Sequence, residues 1–320
     1  MTNLNVFSGF DVSKDYFDFF TIDDQGKSLG QRVVYTREGL KSLARFIPAQ
    51  SHCVMEATGP YYLKLATWLY QNGYAVSVVN PLVIRRFCQM KLVRAKTDKA
   101  DARMIALYAK SEKPALWQPP APYIVKLQQL DALVELFTKN RTALMNQLHA
   151  FEVTGIGDPF ACSLLKKTIA DVTKKMEKIE AEITAVIGAH YKEMLENLKS
   201  IPGIGKRSAV ALIVASDGFK RFDNYKKFSS YLGICPRIYE SGSSVRGRSR
   251  ICKLGMSRIR AILYVCAWSA KKGNLACKQL YDRLVEKGKS KRLALIAVAN
   301  KLVKQAFAIA KSGIKYQPVG

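Results

Sequence analysis

The chain has no CxxC pair, only three histidines, and no apolar run that approaches the width of a bilayer. The seven cysteines (Cys53, Cys88, Cys162, Cys235, Cys252, Cys266 and Cys277) are scattered and odd in number, and His52, His149 and His190 stand apart from one another. That spacing excludes a zinc module and a disulfide framework, and leaves small buried thiols in a reducing compartment. Spanning a membrane takes roughly 18 to 20 consecutive apolar residues, and Met1-Thr2-Asn3-Leu4-Asn5 lacks the basic-then-apolar layout of a secretory leader. A cytoplasmic protein with no membrane partner is expected. Acid is also scarce, though only in one half. Residues 201–320 hold 5 Asp/Glu against 25 Lys/Arg, whereas residues 1–200 hold 20 against 26, within an overall charge of +26. So large an excess in a packed half repels itself unless a polyanion shares it. An anionic membrane surface or a ribosome would serve electrostatically. A nucleic acid fits better, because the cations are set among apolar and aromatic residues and not in a low-complexity tail.

At 320 residues and 48% hydrophobic content, the chain can bury the cores of two domains. Residues 5–80 alternate strand and helix. Asn5–Asp11 is a short apolar run, Tyr16–Ile22 is its aromatic hairpin partner, and Arg32–Tyr35 continues the strand pattern. Glu38–Ile47 has helical spacing, Cys53–Glu56 is a strand, Tyr61–Gln71 a helix closed by Asn72-Gly73, and Ala75–Val79 a buried-type strand. Three strands, a helix, a strand, a helix and a strand resemble the ribonuclease H-like architecture. A further helix is expected over Lys96–Ala109, and prolines 114, 119, 120 and 122 mark a linker. The expected boundaries are an α/β domain over 1–113, a linker over 114–123, a coiled-coil segment over 124–198 and a mainly helical domain over 199–320. The coiled coil follows from apolar residues at alternating three- and four-residue steps, Leu127 to Phe151 and again Leu165 to Val186, either folded back or paired between chains. It implies a homo-oligomer, a dimer or tetramer. At 201–206, Ile-Pro-Gly-Ile-Gly-Lys between helical stretches reads as the turn of a helix-hairpin-helix, whose amides approach a phosphate beside Lys206 and Arg207. A plain helix connection would have the same residues.

Two sets of residues suggest chemistry. Asp11 and Glu56 each end an apolar strand, and Asp98 and Asp101, three apart, share one face of a helix start. A lone acid in such a place is costly to bury, and one acid by itself is usually a solvated surface charge, as Asp15, Asp18, Asp23 and Asp24 look to be in hairpins and turns. Four converging carboxylates suit Mg2+ or Mn2+, two of which would clamp the attacking and leaving oxygens of a phosphodiester. The second set is Glu240-Ser241-Gly242-Ser243-Ser244-Val245-Arg246-Gly247-Arg248-Ser249-Arg250, followed by Lys253, Arg258 and Arg260. A serine hydroxyl among arginines can attack phosphorus or simply help grip a phosphate. The residues alone do not choose among Ser241, Ser243 and Ser244. The lysines and arginines around them are expected to contact the phosphate backbone.

Together, Gly9-Phe10-Asp11-Val12-Ser13-Lys14, Met55-Glu56-Ala57-Thr58-Gly59-Pro60-Tyr61, Lys96-Thr97-Asp98-Lys99-Ala100-Asp101-Ala102, the 201–205 turn and the Tyr231–Gly247 block resemble the insertion-sequence transposases of the IS-one-ten group and the related Piv-type DNA invertases. The resemblance covers nearly the whole chain. It implies a RuvC-like DEDD domain with Asp11, Glu56, Asp98 and Asp101 as metal ligands, a coiled-coil dimerisation segment, and a C-terminal transposase domain with Ser241 as nucleophile. It further implies a phosphoserine link to donor or target DNA, an active site shared between subunits, and a structured bridge RNA as guide. One departure is Met256 after Gly255, where relatives often place Asn. The competing expectations are a metal-dependent junction resolvase or nuclease that cuts with water, an invertase working without RNA, and a non-catalytic nucleic-acid-binding protein.

Overall fold

The computed structural model describes residues 6–93, 97–237, 240–241, 245–246, 250–252 and 254–318. They form two compact units, residues 1–119 and 120–320.

The first unit is built on a five-stranded mixed sheet in the order β3-β2-β1-β4-β5. Strands β1 (Val6–Val12), β2 (Tyr16–Asp23) and β3 (Ser28–Val34) form an antiparallel meander, and β4 (Ser51–Glu56) and β5 (Ala75–Val79) join β1 in parallel. The helices between them are α1 (Arg37–Leu43) and α2 (Tyr61–Gln71), and α3 (Pro81–Met90) and α4 (Asp98–Glu112) follow β5. Helix α3 was not expected from the sequence, although its start signal is present: the Asn80 side chain accepts the Leu82 amide and Pro81 opens the helix. Alternation along the strands divides the sheet's residues between two faces. Phe10, Val12, Phe17, Phe19, Cys53 and Met55 pack under α1 and α2, while Phe7, Val54 and Val79 pack with Ile84 of α3 and Ile105 of α4.

Helix α4 lies very close to β1, and Gly9 is the reason. A Cβ at Gly9 would stand 2.2 Å from the Ala106 nitrogen and 2.3 Å from the Ala102 oxygen. Ala102 and Ala106 are themselves fully buried. Only hydrogen on one side and methyl groups on the other allow that approach.

In the second unit, α5 (Pro122–Val153) and α6 (Pro159–His190) run back along one another, each roughly 48 Å long at 1.5 Å per residue. Tyr123 stacks on His190, Lys126 pairs with Glu182 and Lys166 with Glu152. The reversal is local chemistry: Gly155 takes a left-handed φ of +69°, the Asp158 side chain accepts the Ala161 amide, and Pro159 opens α6. The two heptad runs therefore face each other within one chain near the base of the pair, where Leu127, Val134, Val172, Met176 and Ile183 are buried. Helices α7 (Lys192–Lys199), α8 (Lys206–Ser216), α9 (Tyr225–Leu232), α10 (Ser257–Gly273), α11 (Leu275–Glu286) and α12 (Lys291–Ser312) complete the unit. Every residue of α8 from Ser208 to Ser216 is buried. Helix α12 is long and apolar enough to cross a membrane, but its Leu295, Val298, Leu302 and Val303 are core residues of this unit. Its hydrophobicity is accounted for by packing.

A Gly9→Val variant should force α4 away from β1 and lose about 1–3 kcal/mol of stability, the usual cost of overpacking. Urea unfolding of the two proteins measures the difference; equal midpoints would mean that the helix is not held by this contact.

Candidate functional site

Parallel pairing puts the C-terminal ends of β1 and β4 at the same sheet edge, and with them Asp11 and Glu56. Alternation places Asp11 on the face that α4 covers, since it shares that face with Phe7 and Gly9. Helix α4 begins where Thr97 caps it, the hydroxyl oxygen accepting the Ala100 amide at 3.2 Å. Asp98 and Asp101 thus fall in its first turn, where the helix dipole favours negative charge. Three separated segments bring their acids together here.

The electrostatics record that convergence. The Asp11 carboxyl is pushed up to about 6, first by burial and then by the neighbouring charges of Asp101, Asp98, Glu56 and Asp18. The Thr58 hydroxyl donates to Glu56 at 3.2 Å. Among the described residues, no three of His, Cys, Asp or Glu stand ready-made as an ion cage. The four half-buried carboxylates, crowded enough to hold back the ionisation of one of them, nevertheless suit a hard divalent cation; the Cys88 thiol is their neighbour, its own ionisation held back by burial and by Asp101 and Glu56.

Sequence reasoning missed three members of this neighbourhood. Asp18 is no solvated hairpin residue. It pairs directly across from Asp11, is 1% exposed, and accepts a two-pronged contact from Arg32 at 2.7–3.3 Å. Arg32 also donates to Asp98 at 2.8 Å, and the Tyr16 hydroxyl donates to Asp98 at 3.2 Å. The signal lay in Tyr16-Phe17-Asp18-Phe19-Phe20: an acid in mid-strand between aromatic residues is not in a turn.

In the second unit, the described parts of the serine-rich stretch form two short antiparallel ladders where a loop was expected. Pro236–Arg237 pairs with Arg250–Ile251, and Glu240–Ser241 with Val245–Arg246, all antiparallel. The Ser241 backbone sits opposite Val245. Ser243, Ser244, Arg248 and Lys253 lie outside the described residues, as do the side chains of Ser241, Arg246 and Arg250. At the base, the Cys252 amide donates to the Cys235 carbonyl at 3.0 Å, and Arg260 donates to the Leu232 carbonyl at 3.0 Å. Arg258, expected against phosphate, is instead committed to Asp131 of α5 through two hydrogen bonds and is 19% exposed. The 201–205 turn has a structural duty as well. Gly203 holds φ +103°, and a Cβ there would stand 2.6 Å from that of Ala270 on α10. Beside it, Gly205 starts α8 without a side-chain cap, and Lys206 and Arg207 are exposed in the first turn.

Known proteins share both regions. A transposase model of the IS110 DEDD type matches residues 8–151, and a model described as the transposase IS116/IS110/IS902 family matches residues 195–282. A pilin gene-inverting protein of Moraxella bovis is 30% identical over 315 residues, 95% of each chain. The chain belongs to the IS110 family of transposases and DNA invertases. The corresponding protein of Moraxella lacunata is also 30% identical, over 95% of each chain. The transposase for insertion sequence element IS1111A of Coxiella burnetii is 25% identical, over 92% of this chain and 86% of its own. As a member of the IS110 family the protein is a DNA recombinase.

Met256 is the N-cap of α10 and makes no side-chain cap bond. Met256→Asn should stabilise the IS110-family protein by about 1 kcal/mol, as a cap typically does, and thermal unfolding reads it; no gain would mean that the Asn side chain does not reach the helix amides. The Asp11 shift gives a second expectation. A carboxyl raised in the fold favours folding below its unfolded pKa near 3.9, and that advantage is lost as pH rises through about 6. In divalent-free buffer at pH 8, Asp11→Asn should therefore be the more stable protein, by about 1 kcal/mol after allowance for partial exposure. The gap should close near pH 4; a gap that widens on acidification would contradict the crowding.

Proposed function

We propose that this IS110-family protein is an RNA-guided DNA recombinase that cuts and rejoins strands through Ser241, with Asp11, Glu56, Asp98 and Asp101 holding Mg2+ or Mn2+. The observation that carries the reading is the Asp11 carboxyl, held at about 6 by burial and by the other three acids of the set. Like charges gathered in a half-buried place are relieved by taking up a proton or by a cation among them. A divalent ion bound there would polarise a phosphoryl oxygen and offset charge on the attacking and leaving oxygens. The strand order β3-β2-β1-β4-β5, with acids at the ends of two parallel neighbours, supports a RuvC-like, ribonuclease H-type domain.

In this reading the Ser241 hydroxyl oxygen forms a bond to phosphorus and the bond from phosphorus to a deoxyribose oxygen breaks. The departing oxygen takes the proton that serine gives up. The reverse step, with a different strand end, rejoins the DNA. Lys206 and Arg207 at the uncapped start of α8 would bind phosphate oxygens, joined by Arg246, Arg248, Arg250 and Lys253 of the ladder region. Arg258 has a structural place in this scheme, and Arg260 braces the ladder's base. The carboxylates of one copy would serve the serine of another. A homo-oligomer is supported by Met145, Val153, Phe160 and Leu164, which are more than half exposed on the long helices. The bridge RNA rests on the family resemblance and on the charge excess of residues 201–320. A second reading, DNA inversion without RNA, is favoured by the full-length likeness to proteins named for inverting a pilin gene.

Ser241→Ala should abolish covalent protein–DNA adducts on denaturing gels while leaving DNA binding intact. Adducts that persist would shift the nucleophile to Ser243 or Ser244, and no adduct in the native protein would favour a water-cutting resolvase. Asp11→Asn should lose divalent-dependent strand cleavage and remain folded by circular dichroism; undiminished cleavage would remove the metal from the reading. A structured RNA should co-purify with the protein, and full activity on naked DNA without it would select inversion.

A further inference from the structure

Arg32 on β3 stands opposite Asp18 on β2 in register. Its Nε donates to both Asp18 oxygens, at 3.3 and 3.0 Å, and its Nη2 donates to Oδ2 at 2.7 Å. The same Nη2 reaches Asp98 Oδ2 at 2.8 Å. The guanidinium also lies 3.9 Å from the centre of the Tyr16 ring, and the Tyr16 hydroxyl donates to that same Asp98 oxygen at 3.2 Å. The two ends of this bridge differ in kind. Asp18 is 1% exposed, so its pair with Arg32 breaks only at the cost of a buried bare charge. At the other end, Arg32 and Asp98 are 46% and 47% exposed, at an open cavity of about 490 Å³ lined by Arg32, Thr97, Asp98 and Lys99. That contact is weak and easily exchanged.

We propose that Arg32, fixed in place by the buried Asp18, is a positioning residue that competes with a divalent cation for the Asp98 carboxylate. The inference rests on the reading of Asp98 as an ion ligand. The oxygen that Arg32 and Tyr16 hold is one that a cation would have to win, whereas Asp11, on the neighbouring strand, receives no contact from Arg32 among the hydrogen bonds of the described residues. Asp98 is thereby an exchangeable member of the acid set. A guanidinium suits the task because its planar fork spans two carboxylates, where a lysine's point charge would settle on one.

The test is Mn2+ binding to the full-length protein by titration calorimetry, with thermal melting to check the fold. The informative variant is the double Asp18→Asn, Arg32→Gln. It removes one charge of each sign, so the net field at the acids is nearly unchanged, and an amide pair keeps the buried position hydrogen-bonded. It should bind Mn2+ about two- to fivefold more tightly than the native protein, the range an exposed ion pair can impose. Arg32→Lys, which keeps Asp18 neutralised but cannot span both acids, should tighten binding in the same direction and serves if the double variant does not fold. In an Asp98→Asn background the same changes should have no effect. Native binding that neither variant tightens, or a tightening that survives in the Asp98→Asn background, overturns the role of Arg32. Absence of Mn2+ binding in every protein, native and variant, overturns the metal reading itself and this inference with it.

Discussion

The seating of α4 on β1 governs the first unit. Backbone atoms of Ala102 and Ala106 occupy the space that a side chain at position 9 would claim, so strand and helix meet at the shortest separation that sterics allow. Because Thr97 fixes where the helix starts, that seating also fixes where its first turn lies. Asp98 and Asp101 arrive beside Asp11 and Glu56 as a consequence of packing elsewhere on the helix. A site assembled in this way is only as exact as the contact beneath it.

The same sheet separates stability from chemistry by face. Aromatic and aliphatic residues of β1 and β2 fill the side under α1 and α2, with Phe10, Phe17 and Phe19 fully or almost fully buried. The opposite side carries the acids, and there the fold accepts an electrostatic penalty, visible in the raised Asp11. Asp18 shows the alternative solution to the same problem. Buried directly across from Asp11, it is neutralised within the chain by Arg32. One acid of the facing pair has an ion-pair partner and the other has like-charged neighbours, the perturbed kind of carboxyl that marks a candidate functional site. In the second unit a buried set of helices anchors a short antiparallel ladder, and the ion pair of Arg258 with Asp131 ties α10 to α5 near its base.

Strong local signals were legible in the chain itself. Helix α2 and strand β5 occupy the expected residues, because Asn72-Gly73 closes the one and a run of β-branched residues marks the other. The heptad spacing located both long helices, and the acids at the strand ends and helix start are where periodicity put them. The partnerships that local sequence did not reveal share a cause. Asp18, Arg32 and Arg258 are polar residues whose surroundings come from strands or helices distant in sequence: 66 positions separate Arg32 from Asp98, and 127 separate Arg258 from Asp131. No local pattern reports such a partner.

Period, caps and charge balance are properties of neighbouring residues, and they determined the strand meander, the helix starts, the break between the two long helices and the basic second half. Which side chains face which, and which charge is satisfied within the fold, depended on elements brought together from far apart. Whether the two heptad runs would fold back was open at the level of spacing; within the chain the two helices pack along one another, with contacts such as Lys126 to Glu182 between them. An acid in a strand can be a ligand or half of an ion pair, and only the packing of a third segment against it tells which, because the energy of a charge is set by its surroundings and not by its place in the chain.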